Sequence, residues 1–211
     1  MDKYENKFNG KIAYVLGTGP SLDSFVPEPN DNTVFVGMNT CYMYPNIAKH
    51  LTLLISEYFY DNVRCPIYNI TNKPRFVKKK LISLIKPNLP IFYDNRNPHE
   101  VKTLVNNRKF INKHPHNPVF LKNVIGYAPG ITYYDGIAST AFLTVLFAAY
   151  TGVSEIRIIG CDCTGYAKRL LPGWVILKKI LDTRYPDIKI IATGNLTDVF
   201  KHSTETEYHN A

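Results

Sequence analysis

The sequence predicts an α/β protein built on an open, mostly parallel sheet flanked by helices. Three observations support this fold class. Short apolar and β-branched runs recur along the chain, they are apolar at consecutive rather than alternate positions, and helical segments separate several of them. Consecutive apolar positions are typical of parallel strands that are covered on both faces.

Five segments are predicted as strands of this sheet. The first covers residues 11–17 and ends in a glycine turn, and the next two cover residues 33–39 and 51–56. Two more, residues 155–162 and 187–192, follow in the last third of the chain. Their length and their content of valine, isoleucine and aromatic residues favour strands over helices.

Longer periodic segments are predicted as helices. Residues 136–151 are apolar almost throughout, which indicates a buried helix, and residues 173–185 carry apolar side chains on one face. Residues 74–85 and 98–111 each begin with proline, which is favoured in the first turn of a helix. The sequence therefore alternates strands and helices, as an open α/β sheet requires.

The 211 residues are expected to form a single domain, 1–211. Residues 58–126 are rich in Tyr, Asn, Lys and Pro, and we expect them to be a peripheral elaboration of the sheet. Residues 163–172 are predicted to be a short lid-like loop. The polar residues 203–211 are predicted to be a frayed tail.

Two features exclude whole classes of protein. No apolar stretch reaches the ~18 residues of a membrane span, and the first residues lack the apolar segment of a secretory signal. We therefore expect a cytoplasmic protein. The four cysteines do not have the spacing of a zinc site, which predicts free thiols and no metal.

The charge balance favours an anionic partner. The chain has 25 Lys and Arg against 17 Asp and Glu, a net charge of +8. Nucleic acid, a phosphorylated small molecule or an acidic surface would each satisfy it. No motif that reads nucleic acid accompanies the basic runs, so we expect no specific nucleic-acid binding. Peripheral membrane contact through the basic surface and homo-oligomerisation both stay open.

The glycine turn after the first strand is the principal candidate for a binding site. In open parallel sheets, ligands bind beyond the carboxyl ends of the strands. Gly17 and Gly19 would let backbone N–H groups approach an anion, and a helix predicted to start near Pro20 and Ser21 would present its positive end there. The turn lacks the third glycine of the dinucleotide fingerprint and the lysine of a P-loop. A purely structural tight turn is the alternative.

Two further polar residues follow predicted strands. Asn39 ends the second strand and is either a turn residue or an amide that contacts a base or sugar. Asp162 ends the strand that begins at residue 155, and it is either a loop cap or an acid with a chemical role.

Four stretches in this order resemble a known group of proteins. They are the strand with Gly-Thr-Gly-Pro-Ser-Leu over residues 14–22, the strand ending in Met-Asn within 36–42, the segment 130–162 ending in Gly-Cys-Asp, and residues 174–192. They resemble the bacterial sialyltransferases of the single-Rossmann type. The wider superfamily includes motility accessory factors and hydroxymethylpterin pyrophosphokinases. The resemblance covers about half of the chain and implies a single Rossmann-like domain with a shortened lid.

The resemblance implies that the chain binds a cytidine nucleotide sugar and transfers its sugar to a glycan. It also implies that the reaction needs no metal or other cofactor, since the nucleotide sugar is a substrate. The nucleotide-binding residues implied in this way are Gly17, Thr18, Gly19, Pro20, Ser21, Asn39, Ser56, Gly136 and Asp162.

Three residues are candidates for catalysis, of which Tyr166 is implied by the resemblance, whereas Arg169 and Asp135 stand where the chain departs from these proteins. Tyr166 would donate to the leaving phosphate, Arg169 would stabilise its charge, and Asp135 or another group would act as the base. The histidine that serves as general base in these sialyltransferases has no counterpart, because no His lies between Asn117 and Lys201.

Two other functions remain compatible with the sequence. One is phosphoryl transfer from ATP, as in a pyrophosphokinase, with magnesium held by carboxylates such as Asp135 and Asp162. The other is a non-catalytic nucleotide- or glycan-binding protein that has kept the fold and lost its lid.

Overall fold

The computed structural model of the chain describes six ranges of residues: 4–56, 65–68, 74–77, 89–93, 119–120 and 139–201. Within these ranges the chain forms an α/β fold with a parallel sheet flanked by helices. The predicted fold class is confirmed.

The described strands fall into two sheets. Seven form the main sheet in the spatial order β7-β6-β3-β2-β1-β8-β9, with every neighbouring pair parallel, and β4 and β5 form a separate antiparallel pair. Their bounds are β1 Ile12–Leu16, β2 Thr33–Met38, β3 Leu53–Ser56, β4 Cys65–Tyr68, β5 Pro74–Val77, β6 Ile91–Tyr93, β7 Val119–Phe120, β8 Glu155–Ile159 and β9 Lys189–Ala192.

The strand order reverses at β1. From β1 the chain builds outward through β2 and β3 on one side, and later through β8 and β9 on the other. Loops that leave β1 and β8 at their carboxyl ends therefore run in opposite directions across the sheet. A crevice at such a reversal is the usual ligand site of an open α/β sheet.

Three α-helices occur in the described ranges: α1 Pro45–Ala48, α2 Thr140–Tyr150 and α3 Leu171–Arg184. Ten of the eleven residues of α2 are buried, because it packs against the sheet on one side and α3 on another. Its start is set by Ser139, whose backbone is extended and whose hydroxyl accepts a hydrogen bond from the N–H of Ala141. Within the described residues, we find no helix with both the length and the apolar character for crossing a bilayer.

Two apolar layers cover the main sheet. On one face, α2 and α3 pack on inward side chains such as Val15, Val36 and Ile158. On the other face, Leu16, Phe35 and Leu54 pack against residues that follow β1 and β2, including Leu22, Tyr42 and Ile47. Both faces of the central strands are buried, which explains their consecutive apolar residues.

The prediction of a helix over residues 74–85 is wrong at its start. Residues 74–77 form β5 and pair with β4, with Phe76 opposite Pro66. Phenylalanine and valine favour a strand when a partner supplies the hydrogen bonds, and a local pattern contains no information about that partner. The predicted helix over 98–111 and the predicted tail over 203–211 lie outside the described residues.

A helix starts at Pro20, as predicted, but it is much shorter than an α-helix. Residues Pro20–Leu22 form a single 3-10 turn. The chain then continues without regular structure towards β2. Pro27 and Pro29 follow closely, and proline cannot donate the hydrogen bonds that a longer helix needs.

Candidate functional site

A cavity of about 800 Å³ lies where the carboxyl ends of β1, β2 and β8 meet. Loops from these three strands and the starts of α2 and α3 line it. Among the lining residues are Thr18, Pro20, Asn39, Gly160, Asp162 and Trp174. The sequence-predicted candidates that follow β1, β2 and β8 therefore come together at one site.

The glycine turn after β1 lies against the loop after β8. A Cβ atom built on Gly19 would lie 2.7 Å from Oδ2 of Asp162 and 2.9 Å from the carbonyl oxygen of Gly160. The backbone of Gly19 is extended, so a side chain is excluded by these neighbours and not by the backbone angles. Glycine is required here because two loops approach each other closely.

The N–H groups of this turn are used within the chain. Gly17 donates to the carbonyl oxygen of Ile159 at 2.8 Å, and Gly19 donates to that of Gly160 at 2.7 Å. The N–H of Ser21 donates to the carboxylate of Asp162 at 2.9 Å. In this structure these three amides therefore hold the turn to the neighbouring loop and do not present donors to an anion.

Asp162 joins the loops that follow three strands. Its side chain is buried, with 6% exposure, and it accepts from the N–H of Ser21 after β1 and from the hydroxyl of Thr193 after β9. The hydroxyls of Ser21 and Thr193 lie 3.0 Å apart, and the Ser21 hydroxyl accepts from the N–H of Gly160. Both carboxylate oxygens are thus engaged, which matches the loop-capping alternative for Asp162.

Asn39 lines the cavity at the end of β2. It opens the 3-10 helix Asn39–Met43 and has a φ of +47°, a left-handed conformation that asparagine tolerates better than most residues. This backbone geometry turns the chain sharply as it leaves the strand.

Cys161 and Cys163 line the same cavity on either side of Asp162. Burial raises the pKa of both thiols, to about 11 for Cys163 and further for Cys161, and the charge of Asp162 raises both as well. Both thiols are therefore neutral near pH 7 and poor nucleophiles. Together with Cys41 they are free cysteines, in agreement with the sequence prediction.

The cavity is bordered by the 3-10 helix Gly165–Leu170, which lies within the predicted lid-like loop 163–172. Ala167 and Leu170 face the cavity, whereas Lys168 and Arg169 are exposed. For Tyr166 the backbone alone is described, and it belongs to the same helix. Two cations thus lie beside the cavity.

Not every predicted site residue can be located. Asp135 and Gly136 lie outside the described residues. The backbone of Ser56 ends β3 at the carboxyl edge of the sheet, and its side chain is not described. Their proposed roles remain predictions.

The sequence reasoning missed Ser139 and Trp174, which both line the cavity. A serine directly before a long apolar segment is a helix-capping signal, so the position of Ser139 could have been inferred. Trp174 carries no local signal for a site, because it lies one turn into a helix with an apolar face. Among the described residues, no group of three or more His, Cys, Asp or Glu has the arrangement of a metal site.

The chain matches solved structures but no known sequence family. No protein-family model matches the chain, and no curated protein sequence matches it. Solved structures of a sialyltransferase do match. CstII from Campylobacter jejuni in complex with cytidine-5'-monophosphate is 17% identical, with a TM-score of 0.55, over 90% of this chain and 84% of that chain.

Two further structures of this enzyme match the chain with similar identity, TM-score and coverage. CST-II in complex with a trisaccharide acceptor and CMP is 15% identical, with a TM-score of 0.58, over 90% of this chain and 85% of that chain. Monomeric CstII is 17% identical, with a TM-score of 0.54 and the same two coverages. At such low identity the likeness establishes the fold, which is sialyltransferase-like.

Proposed function

We propose that this chain is a glycosyltransferase that uses a cytidine-monophosphate-activated sialic acid or related nonulosonate as donor and a glycan hydroxyl as acceptor. One observation carries the proposal: a cavity lies at the strand-order reversal of a fold shared with a sialyltransferase solved with CMP. Sites in open α/β sheets lie at this reversal because loops diverge there.

The size of the cavity suits this donor. Its volume of about 800 Å³ is near the upper end of the range of about 300–1,000 Å³ typical of small-molecule sites. A site in this range can hold a nucleotide joined to a sugar. We propose that the nucleotide contacts Thr18, Pro20 and Asn39, which line the cavity after β1 and β2.

The proposed reaction is a single displacement at the anomeric carbon. A base removes the proton of the acceptor hydroxyl, and that oxygen forms a bond to the anomeric carbon. The bond from this carbon to the phosphate oxygen breaks, and CMP leaves with the electron pair. Lys168 and Arg169, exposed beside the cavity, would offset the negative charge of the leaving phosphate, and we propose Tyr166 as its hydrogen-bond donor.

We propose Asp135 as the base. Arginine stays protonated at neutral pH, and no histidine lies between Asn117 and Lys201. A carboxylate can accept the proton of an acceptor hydroxyl if its environment brings its pKa towards neutrality.

The alternative of phosphoryl transfer from ATP would use Asp162 as a magnesium ligand. Both oxygens of its carboxylate accept hydrogen bonds, one from the N–H of Ser21 and one from the hydroxyl of Thr193. These bonds use two of about four lone-pair sites, so a magnesium ion would have to bind at the remaining ones. The dependence of ligand binding on magnesium therefore separates the two functions.

The proposal is tested by the thermal stabilisation that ligands produce, since a ligand that binds the folded state raises its melting temperature. We expect CMP to raise the melting temperature in the presence of EDTA. ATP with magnesium and single-stranded oligonucleotides serve as comparisons. A shift that requires ATP and magnesium would refute the proposal in favour of a kinase, and the absence of any shift would refute nucleotide binding.

A variant of Asn39 makes the test specific for the cavity. Asn39→Gly keeps the left-handed backbone available and removes the amide, so the fold should persist. We expect it to weaken CMP binding about 10-fold, the loss expected for a hydrogen bond near 1.4 kcal/mol. Unchanged affinity would remove Asn39 from the site.

A further inference from the structure

The turn that follows β9 packs against the loop after β8, which lines the cavity. The turn consists of Thr193, Gly194 and Asn195, and none of these three residues lines the cavity itself. Gly194 has a φ of +61°, and a Cβ atom built on it would lie 2.9 Å from the Cβ atom of Asp162. The backbone angle and the close approach to Asp162 therefore both require glycine here.

Asn195 binds the loop after β8 twice. Its backbone N–H donates to the carbonyl oxygen of Asp162 at 3.2 Å, and its side-chain Nδ2 donates to the carbonyl oxygen of Cys163 at 3.0 Å. Cys163 is buried and has a φ of +52°, a conformation that a residue other than glycine keeps only where its surroundings enforce it. The side chain of Asn195 contributes to this enforcement, because it holds the carbonyl group of Cys163 in place.

The loop held in this way leads into the 3-10 helix Gly165–Leu170. Gly165 has a φ of +53°, so two left-handed residues, Cys163 and Gly165, lie two positions apart where this helix begins. Both line the cavity. Lys168 and Arg169, the two exposed cations beside the cavity, follow in the same helix. The direction of the helix, and with it the position of these cations, therefore depends on the backbone of residues 163–165.

We propose that Asn195 is a positioning residue: from the turn after β9 it fixes the start of the 3-10 helix, and so the position of Lys168 and Arg169 relative to the leaving phosphate. This inference rests on the proposed function and deepens it. Charges stabilise a developing negative charge best when they are held in position before the reaction begins. The residues proposed to contact the nucleotide follow β1 and β2, so the affinity for CMP should not depend on the side chain of Asn195.

Hydrogen exchange tests the positional role without any ligand. Asn195→Ala removes the bond to Cys163 and keeps the backbone bond to Asp162, and Asn195 is exposed, so the fold should persist. The N–H of Ala167, which donates to the carbonyl oxygen of Thr164, reports on the helix. We expect its exchange to become about 3–10-fold faster, the range for one lost neutral hydrogen bond.

The amides in the middle of α3 serve as the internal reference for this measurement. Their exchange should stay at the wild-type rate in Asn195→Ala, because the lost bond holds only the loop after β8. Unchanged exchange in the 3-10 helix, or equal acceleration there and in α3, would overturn the inference.

The consequence for the reaction is measured as release of CMP from CMP-N-acetylneuraminic acid, with water as the acceptor. We expect Asn195→Ala to lower kcat per CMP-binding site about 3–10-fold, since the aligned state is less populated by that factor, and to change the Kd of CMP less than twofold. Calorimetry counts the sites, and general structural damage would lower their number instead of the rate per site. An unchanged rate per site would overturn the inference.

Thr197→Ala is the matched control. Thr197 is exposed two positions further along, and its hydroxyl donates to the carbonyl oxygen of Ala192, at the end of β9. We expect wild-type exchange in the 3-10 helix and a wild-type rate per site. If this variant behaves as Asn195→Ala does, general loosening after β9 is responsible and the inference fails.

The two measurements separate this inference from the proposed function. If the wild-type chain neither binds CMP nor releases it from the donor, the proposed function is refuted. Faster exchange confined to the 3-10 helix in Asn195→Ala would then still support the positional role of Asn195.

Discussion

Single side chains at the carboxyl edge of the sheet connect segments that are far apart in sequence. Asp162 is the clearest case, because its two oxygens bind groups of Ser21 and Thr193 at 2.9 and 3.2 Å. A buried carboxylate is tolerated only when hydrogen bonds replace its lost hydration. The geometry of the cavity therefore depends on this network.

Replacing Asp162 tests this dependence. Asp162→Asn keeps one oxygen and exchanges the other for an NH₂ group, so one of the two donors at the site loses its acceptor. We expect the free energy of unfolding to fall by about 1–3 kcal/mol, the cost of an unsatisfied buried polar group. Equilibrium unfolding in urea measures it.

Asp198→Asn is the matched control, since Asp198 is exposed and pairs with Lys201 on the surface. Its effect should stay below about 1 kcal/mol, the usual limit for exposed ion pairs. Equal losses in both variants would show that Asp162 has no special structural role.

Two residues other than glycine have a positive φ and border the cavity. Asn39 has a φ of +47° and Cys163 a φ of +52°, and both line it. Such conformations cost energy outside glycine and persist where the surroundings enforce them. Asn39 directly follows β2 and Cys163 lies in the loop after β8, so the strain lies where the chain turns away from the sheet beside the cavity.

At the scale of elements, α2 determines one side of the cavity. The helix is buried almost all round, so its position is set by packing on the sheet and α3. Ser139 defines where it begins and lines the cavity at the same time. Ser139 thus caps α2 and also contacts the cavity.

Removal of this cap has a measurable cost. In Ser139→Ala the N–H of Ala141 loses its side-chain acceptor. We expect the free energy of unfolding to decrease by about 0.5–2 kcal/mol, as for other helix caps. Thr183→Ala is the comparison, because its exposed hydroxyl binds a carbonyl inside α3 and caps no free N–H. A larger loss for Thr183→Ala would contradict the assignment.

At the scale of the whole molecule, the strand order separates two regions of different chemistry. The carboxyl edge carries the cavity, whereas Glu155 begins β8 at the opposite edge. There Glu155 pairs with Arg157 and with Lys189 of the neighbouring strand β9. This cluster joins the two strands by charge, away from the site.

The cluster predicts a dependence of stability on pH. Burial alone would raise the pKa of Glu155, but hydrogen bonding and charge from Arg157, with a contribution from Lys189, lower it below its ordinary value of 4.5. A carboxyl with a lowered pKa stabilises the fold above its unfolded pKa, and this contribution is lost as pH falls through the folded pKa. Part of the acid destabilisation below pH 4.5 should therefore come from Glu155.

Unfolding at several pH values measures this contribution. We expect Glu155→Gln to be less stable than wild type at pH 7, with the difference shrinking below pH 4.5. Glu28→Gln, a change on an exposed loop, should follow the wild-type profile. A constant difference between Glu155→Gln and wild type at all pH values would contradict the pairing.

Much of the fold could be predicted from the sequence. Consecutive apolar residues in β1, β2 and β8 indicated parallel strands, and the strands occupy the predicted segments within a few residues at each end. These signals are local, because burial on both faces leaves its mark on each strand separately. β5 was missed because its pairing with β4, and not its own sequence, makes it a strand.

By itself, the sequence of this protein determined the α/β class and the central strands of the sheet. It also placed the candidate binding site in the loops after β1, β2 and β8. The tertiary structure alone decided that the amides of Gly17, Gly19 and Ser21 bind neighbouring loops, and that Trp174 is buried beside the cavity. The reason is physical. Ser21 and Asp162 are 141 residues apart, and a hydrogen bond across that separation exists only once strand order has brought their loops together.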